Sequence, residues 1–360
     1  MTQLPELRGI ISNVALANHT TIKLGGTAKY FLECRSTAEL LSALEYARKN
    51  RVRTHILGGG SNTIFCDKGF DGLVIKIGLR GVQFIRDGER VKMVVAAGEN
   101  WDDFVSLCVT NGLTGVECLS GIPGLVGATP IQNVGAYGQE VSGTIESVKA
   151  IQRDALHERT FFRDDCMFGY RQSRFNTGDQ DAFVITEVTF RLRSSIDPEI
   201  KYPELRRFID ATVAWQSLRS ASERIAIVRN AVIALRNSKS MVIDEADPNA
   251  RSVGSFFKNP VLSKDEFANV QKRCGAAGIS VPSFPAGEKV KIPAAWLVEN
   301  AGFTKGFRSG GVGVSTKHSL ALVNHNGTAA ELLALAETIS MKVKEKFGVT
   351  LEREPVVVSP

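Results

Sequence analysis

Residues 118–139 carry no charged side chain, yet five glycines and two prolines interrupt them. A stretch this long and uncharged invites a membrane reading. A lipid-exposed helix, however, would have to satisfy every broken backbone group and the Gln132-Asn133 pair internally, so no membrane insertion is expected. Glycines at 121, 124 and 127 recur every third residue, and Pro123 and Pro130 pin the backbone. A loop so constrained is costly for folding unless its shape matters. Its strong polar side chains are Ser120, Thr129, Gln132, Asn133 and Tyr137. Donors without charge suit a heteroaromatic ring system and its phosphates better than an acid–base site. A long structural turn is the alternative reading.

The second glycine cluster, Gly58-Gly59-Gly60-Ser61-Asn62, follows the short apolar run His55-Ile56-Leu57. Glycine there lets the backbone approach a ligand closely, and successive N–H groups can cradle an anion such as a diphosphate. Neither the P-loop pattern nor the dinucleotide fingerprint Gly-x-Gly-x-x-Gly is present, and no clear helix follows. A tight strand-to-strand turn explains the run equally well.

The chain has 360 residues, 43% of them hydrophobic, which is enough for about two or three domains with real cores. Lys+Arg 44 against Asp+Glu 38 leaves a net charge of +6 with no block of like charge. That balance calls for no nucleic-acid partner; a local basic pocket for an anionic small molecule suffices. The start, Met1-Thr2-Gln3-Leu4-Pro5-Glu6, has no basic segment followed by an apolar one, so a cytoplasmic protein is expected. The six cysteines are scattered without Cys-x-x-Cys, as buried reduced thiols would be, and the five dispersed histidines suggest no metal site.

From residue 20 to about 79 strands alternate with a helix, opened by the capping box Ser36-x-x-Glu39 and carrying Leu40, Leu41, Leu44 and Ala47. From 81 to 192 the pattern is β-rich, with a strand over 90–97, a helix over 101–111, and Val188, Phe190 and Leu192 alternating with polar residues. From 213 to 347 it reads as mainly helical, with capping boxes Ser263-x-x-Glu266 and Thr328-x-x-Glu331; the second opens a long helix over 329–347. The tail, 349–357, reverts to strand chemistry and is expected to return to an earlier sheet.

Two further constellations carry chemistry. In Phe168-Gly169-Tyr170-Arg171-Gln172-Ser173, the arginine between aromatics is either a surface cation–π partner or a carboxylate clamp. In Gly254-Ser255-Phe256-Phe257-Lys258-Asn259-Pro260, the serine is either a buried, backbone-bonded hydroxyl or the one proton source in an apolar wall.

Together with Thr20-Thr21-Ile22-Lys23-Leu24-Gly25-Gly26 and the terminal Leu351-Glu352-Arg353-Glu354, these segments run in order along almost the whole chain. In that order they resemble the UDP-N-acetylenolpyruvoylglucosamine reductases of bacterial peptidoglycan synthesis. The resemblance implies an α+β protein: a two-part FAD-binding fold of the vanillyl-alcohol-oxidase/PCMH type plus a third α+β substrate-binding domain. The parts would be residues 1–79, then 80–212 rejoined by 348–360, then 213–347. It also implies NADPH-dependent reduction of the enolpyruvyl ether on UDP-N-acetylglucosamine to UDP-N-acetylmuramate, with hydride from flavin N5.

By the same resemblance, Arg171 and Glu354 stabilise the enolate-like state and Ser255 supplies the proton. Leu57, Gly58, Gly59, Gly60, Ser61 and Asn62 hold the cofactor. So do Gly121, Thr129, Gln132, Asn133, Gly135, Ala136, Tyr137, Gly138 and Ile185. Tyr170, Tyr202, Lys239, Asn259 and His318 face the substrate. The partners implied are the UDP-sugar and NADPH, bound by a monomer. Ser315-Thr316-Lys317-His318 matches one branch of the family and departs from another that has His and Gln at its first and last positions.

Another FAD-dependent alcohol or sugar oxidase or dehydrogenase would keep the first two glycine clusters. It would have no reason to keep Gly-Ser-Phe-Phe-Lys-Asn-Pro with a terminal Glu-x-Glu. A non-enzymatic nucleotide- or RNA-binding protein would interleave basic and aromatic residues along one face. Arg206-Arg207 and the basic residues of 219–239 read instead as a solvated face.

Overall fold

The computed structural model describes residues 7–275 and 278–360; the segment Met1 to Glu6, on which the expectation of no leader rests, lies outside the described residues. The chain falls into two compact units. One comprises residues up to 14 with 28–59 and 71–242, the other 15–27, 60–70 and 243–360. The architecture is α+β.

In the first unit, strands Ile11–Ala15, Thr27–Cys34, Phe70–Ile77 and Thr54–Leu57 form one sheet in that order. The last two run parallel, with Leu57 opposite Lys76. Helix Thr37–Lys49 starts where Ser36 Oγ accepts the Glu39 N–H at 3.2 Å. The Glu39 carboxylate reaches past the cap to the Arg35 N–H at 2.6 Å. Leu40, Ala43, Leu44 and Ala47 are the buried face, as the 3.6-residue period requires.

A second, larger sheet has the order Glu158–Phe162, Ile145–Gln152, Phe183–Ser194, Arg90–Ala96, Val82–Asp87, with Leu113–Thr114 also paired to Phe183–Ser194. Val188 faces Val95, Phe190 faces Met93 and Leu192 faces Val91 across one antiparallel ladder. These inward residues meet helix Trp101–Thr110: Phe104 and Phe190 rings stand 4.8 Å apart, and Trp101 Nε1 donates to Leu119 O at 2.9 Å. Helix Ala221–Ser238 belongs with this unit. Its Ile225 joins the Trp101–Phe104 core, and Val228, Val232 and Leu235 pack with Cys118, Leu205 and Ile209. Compactness thus assigns to the first unit a helix that lies beyond the sequence division at 212/213.

The second unit corrects the mainly helical expectation for 213–347. Helices Lys264–Gly275, Ala294–Asn300 and Ala329–Phe347 are accompanied by a sheet of order Ser252–Ser255, Ala321–Asn324, Val312–Val314, Arg308–Ser309, and by a three-stranded one of order Val261–Leu262, Lys289–Lys291, Phe284–Ala286. None of these strands exceeds 4 residues, too short for a period of two to show in the sequence. Thr328 and Glu331 form the full reciprocal box, and Leu332, Leu335, Ile339 and Val343 are buried beside Phe256 and Phe257. The terminal strand Val356–Val358 does return to an earlier strand, but its partner is Thr63–Phe65, in parallel register, rather than a strand of 80–212. Among the described residues no helix is long and apolar enough to cross a membrane.

Candidate functional site

In the first unit, strand Thr54–Leu57 ends in the buried Leu57 and opens directly into Gly58 and Gly59. A Cβ at Gly59 would lie 2.8 Å from the Gly124 Cα, so the two glycine clusters meet backbone to backbone. A Cβ at Gly58 would meet nothing closer than 3.8 Å. A Cβ there would be in ordinary van der Waals contact with Ala128 and Leu125; without it the half-buried Gly58 backbone is left bare for the close approach that a diphosphate or a ring edge requires.

The uncharged loop is stitched to the larger sheet by Trp101 N–H to Gly124 O at 3.1 Å, Val126 N–H to Glu99 O at 2.9 Å and Gly127 N–H to Ala97 O at 2.9 Å. Several polar side chains of this loop shape it from within. Ser120 Oγ donates to Glu117 O at 2.6 Å, and Thr129 Oγ1 to Val126 O at 2.8 Å. Asn133, with φ of 44°, donates to Glu140 Oε2 at 2.8 Å and Gly169 O at 2.9 Å, and accepts the Ser142 N–H at 3.1 Å. The backbone N–H groups of Thr129 and Asn133 are likewise spent within the loop, on Val126 O at 3.0 Å and Pro130 O at 3.3 Å. Ala136 and Gly135 pair with Gln139 and Glu140 in a two-stranded turn, and Ile185 lies buried in its strand opposite Ala150.

Arg171 occupies the third position of the tight turn Gly169-Tyr170-Arg171-Gln172, closed by Gly169 N–H to Gln172 O at 2.9 Å, with φ of 55°. Its Nη2 donates to Gly135 O at 2.8 Å, and its guanidinium lies 5.5 Å from the Tyr170 ring. Because Asn133 holds Gly169 and Arg171 holds Gly135, the turn and the loop are fastened to each other. Positive φ at Asn133, Tyr137 (47°) and Arg171 concentrates backbone strain here, as functional sites commonly do.

Tyr137 packs edge-on to Tyr202 with ring centroids 5.4 Å apart, and Lys239 Nζ lies 6.0 Å from the Tyr137 ring. Lys239 also donates to both Glu204 oxygens, at 2.9 and 2.8 Å. Burial pushes the Tyr137 hydroxyl up to about 12, and burial with the Glu204 charge raises that of Tyr202. Both are neutral donors at ordinary pH. The structure thus unites Tyr137, Tyr202 and Lys239 in one cluster, and Gly138 backs onto Lys201 and Tyr202.

The sequence reading missed the charged residues that carry this uncharged loop. Asp102 accepts the Gly121 N–H at 2.6 Å and a two-pronged bond from Arg229 at 2.6 and 2.9 Å. The buried Glu117 accepts from Thr114, Gly115 and Gln139. Their only signal was a loop without charges of its own. Burial alone would raise the Asp102 carboxyl; the Arg229 fork and the Gly121 N–H outweigh it and hold the group below the ordinary range. A depressed carboxyl stabilises the fold above its unfolded value of 3.8 and loses that contribution as pH falls through the folded value. Asp102→Asn is therefore expected to lower the melting temperature at pH 7. Melting scans against pH should show the gap closing below pH 3.8; a gap independent of pH would remove the ionised carboxylate from the account.

In the second unit, Ser252–Ser255 pairs with Ala321–Asn324 through a register shift between Ser252 and Ser255. Gly254, with φ of 77°, supplies the left-handed step that turns Ser255. Ser255 is half-buried, and its Oγ makes no hydrogen bond to another described residue. The reading of a backbone-bonded serine is thereby set aside. Glu354 is brought alongside by Glu354 N–H to Phe256 O at 2.9 Å and Lys258 N–H to Glu352 O at 3.0 Å. Asn62 joins them, its Nδ2 donating to Glu354 O at 3.3 Å and its carbonyl accepting the Val356 N–H at 2.9 Å. Gly60 O accepts the Thr21 N–H at 3.1 Å, one residue before Ser61.

Asn259 Oδ1 accepts the Ala294 N–H at 2.8 Å and caps helix Ala294–Asn300. His318 Nδ1 accepts the Leu320 N–H at 3.2 Å, leaving Nε2 as the proton-bearing nitrogen of the neutral ring. Leu320 O in turn accepts the Phe256 N–H at 2.8 Å, so His318 stands on the loop that backs Ser255.

Comparison with known proteins adds the following. The family described as "UDP-N-acetylenolpyruvoylglucosamine reductase, C-terminal domain" matches residues 247–358, and "FAD binding domain" matches 28–156. The chain is 45% identical over 353 residues to a UDP-N-acetylenolpyruvoylglucosamine reductase of Thermobifida fusca, covering 96% of this chain and 97% of that one. It is 44% identical over 358 residues to one of Streptomyces coelicolor, covering 97% and 90%. The crystal structure of UDP-N-acetylenolpyruvylglucosamine reductase from Thermus caldophilus superposes with a TM-score of 0.63 at 23% identity, covering 97% of each chain, a likeness of fold.

Proposed function

The chain belongs to the UDP-N-acetylenolpyruvoylglucosamine reductases, and from that premise we propose how its own residues perform the reaction. It is an FAD-containing, NADPH-dependent oxidoreductase that converts UDP-N-acetylglucosamine enolpyruvate to UDP-N-acetylmuramate. We place it in the cytoplasm as a monomer, where UDP-sugar and NADPH are both available. The three-part division 1–79, 80–212 and 213–347 remains our functional assignment except where the fold departs from it: helix Ala221–Ser238 packs in the first unit, and Val356–Val358 pairs with Thr63–Phe65.

Gly58 fits the cofactor because its backbone carries no side chain, Gly59 lets the turn close onto Gly124, and the fastened loop 121–138 supplies a rigid wall without competing charge. FAD held there would supply hydride chemistry, from NADPH to the enolpyruvyl double bond. Arg171 then offers its fork to the substrate carboxylate as negative charge builds there, a term that preorganised donors favour most. Glu354, beside Ser255, polarises the same carboxylate in its protonated form or through a bridging donor. Ser255 Oγ gives its proton to the carbon bearing the ether oxygen. Lys239 and Asn259 bind the diphosphate and sugar; Glu204 must release Lys239 for that contact to form. Tyr170, Tyr202 and His318 line the substrate.

The observation carrying this reading is the Ser255 hydroxyl: half-buried, without a hydrogen-bond acceptor among the described residues, and next to Phe256, whose carbonyl accepts the Glu354 N–H. A serine so placed has its proton available. The purified protein is expected to be yellow, to bleach anaerobically with NADPH, and to regain its colour on addition of the enolpyruvyl UDP-sugar. A colourless protein, or one that stays bleached with substrate, overturns the assignment.

A further inference from the structure

The first unit contains a cavity of about 460 Å³ that none of the residues above lines; its wall includes Arg90, Arg163, Arg191, Arg193, Glu146 and Phe162. It sits at the far end of strand Phe183–Ser194 from Ile185. Eight residues of strand at about 3.3 Å each put Arg193 about 26 Å away. Two like-charged pairs face each other across the ladder here, Arg191 opposite Lys92 and Arg193 opposite Arg90. Such pairs destabilise a sheet unless a counter-charge intervenes.

The inner pair has its counter-charge. Glu146 takes Lys92 Nζ at 2.6 Å on one oxygen and Arg191 Nη2 at 2.6 Å on the other. Partial burial would raise the Glu146 carboxyl, but the two cations prevail and keep it below the ordinary range. The outer pair has none: neither Arg90 nor Arg193 forms a hydrogen bond or ion pair with another described side chain. Arg163 is anchored by its Nε to Ser142 O at 2.8 Å. Phe162 beside it is 64% exposed, a bare ring on the cavity wall. Arg163 is also paired with Asp164, at 3.4 Å; the Arg90 and Arg193 forks, unpaired among the described residues, share the cavity with the exposed Phe162 ring, and together they match a phosphate carried on a flat ring.

We propose that this cavity is a second ligand site for a nucleotide, with phosphate between Arg90 and Arg193 in the role Glu146 plays for the inner pair, and the base against Phe162. The site is separate from the catalytic assignment and stands without it.

The test uses the flavin-loaded enzyme with saturating UDP-N-acetylmuramate to fill the active site, titrated with ADP by calorimetry. One further binding event is expected, weakened at least tenfold in Arg193→Gln and in Arg90→Gln, with turnover unchanged in both. Without ADP, Arg193→Gln should melt at a higher temperature than the parent because the like-charge pair is relieved. Adenosine should not bind, and inorganic diphosphate should bind several-fold more weakly than ADP. No binding of ADP once the active site is filled, or equal affinity in both arginine variants, overturns the site. Diphosphate binding as tightly as ADP overturns the assignment of a nucleotide.

Discussion

Ser255→Ala is expected to slow turnover by roughly 10²- to 10⁴-fold, the range over which a positioned general acid acts, while NADPH still bleaches the flavin at nearly the parental rate. The two half-reactions part company because only the second needs a proton on the substrate carbon. Stability should change little, since the Ser255 Oγ makes no hydrogen bond to another described residue and its removal orphans nothing. Stopped-flow absorbance follows each half-reaction separately. Turnover within a few-fold of the parent would take Ser255 out of the mechanism, and equal slowing of both halves would make its role structural.

Arg171→Gln is expected to cost roughly 10²- to 10³-fold in kcat, the loss seen when one preorganised donor to a developing negative charge is removed. Arg171→Lys should recover only part of it. Lysine keeps the charge but not the planar fork that reaches Gly135 O and a carboxylate together. The lost bond to Gly135 costs about 1 kcal/mol of stability; a kcat loss of this size in protein that is still fully folded at the assay temperature by its melting curve separates charge stabilisation from folding. A glutamine variant within tenfold of the parent would show that another cation serves the carboxylate.

Local elements were legible wherever a few neighbouring residues decide them. Thr328 and Glu331 announce the helix they cap, and it runs Ala329–Phe347 as its period requires. Val188, Phe190 and Leu192 alternate in the sequence and are buried in the sheet. The short strands of the second unit were not legible: Val312–Val314 reads Val-Gly-Val, with no polar alternation to mark it. Asn133 was legible as a polar residue in a strained loop, but not as the link between that loop and the Arg171 turn, because Gly169 and Glu140 become its partners only on folding.

The glycine and proline placement along 118–139, the capped helices and the order of motifs belong to the sequence itself. Each follows from dihedral preference, periodicity or adjacency within a few residues. Only the tertiary structure decided that Glu354 bonds to the carbonyl next to Ser255, that Asp102 and Arg229 carry an uncharged loop, that the last strand pairs with Thr63–Phe65, and that Arg90 faces Arg193 with no counter-ion among the described residues. Those outcomes join residues far apart in the chain. A hydrogen bond or ion pair between distant residues depends on which surfaces the whole fold brings together after paying the entropy of closing the loops between them. No local pattern encodes that choice.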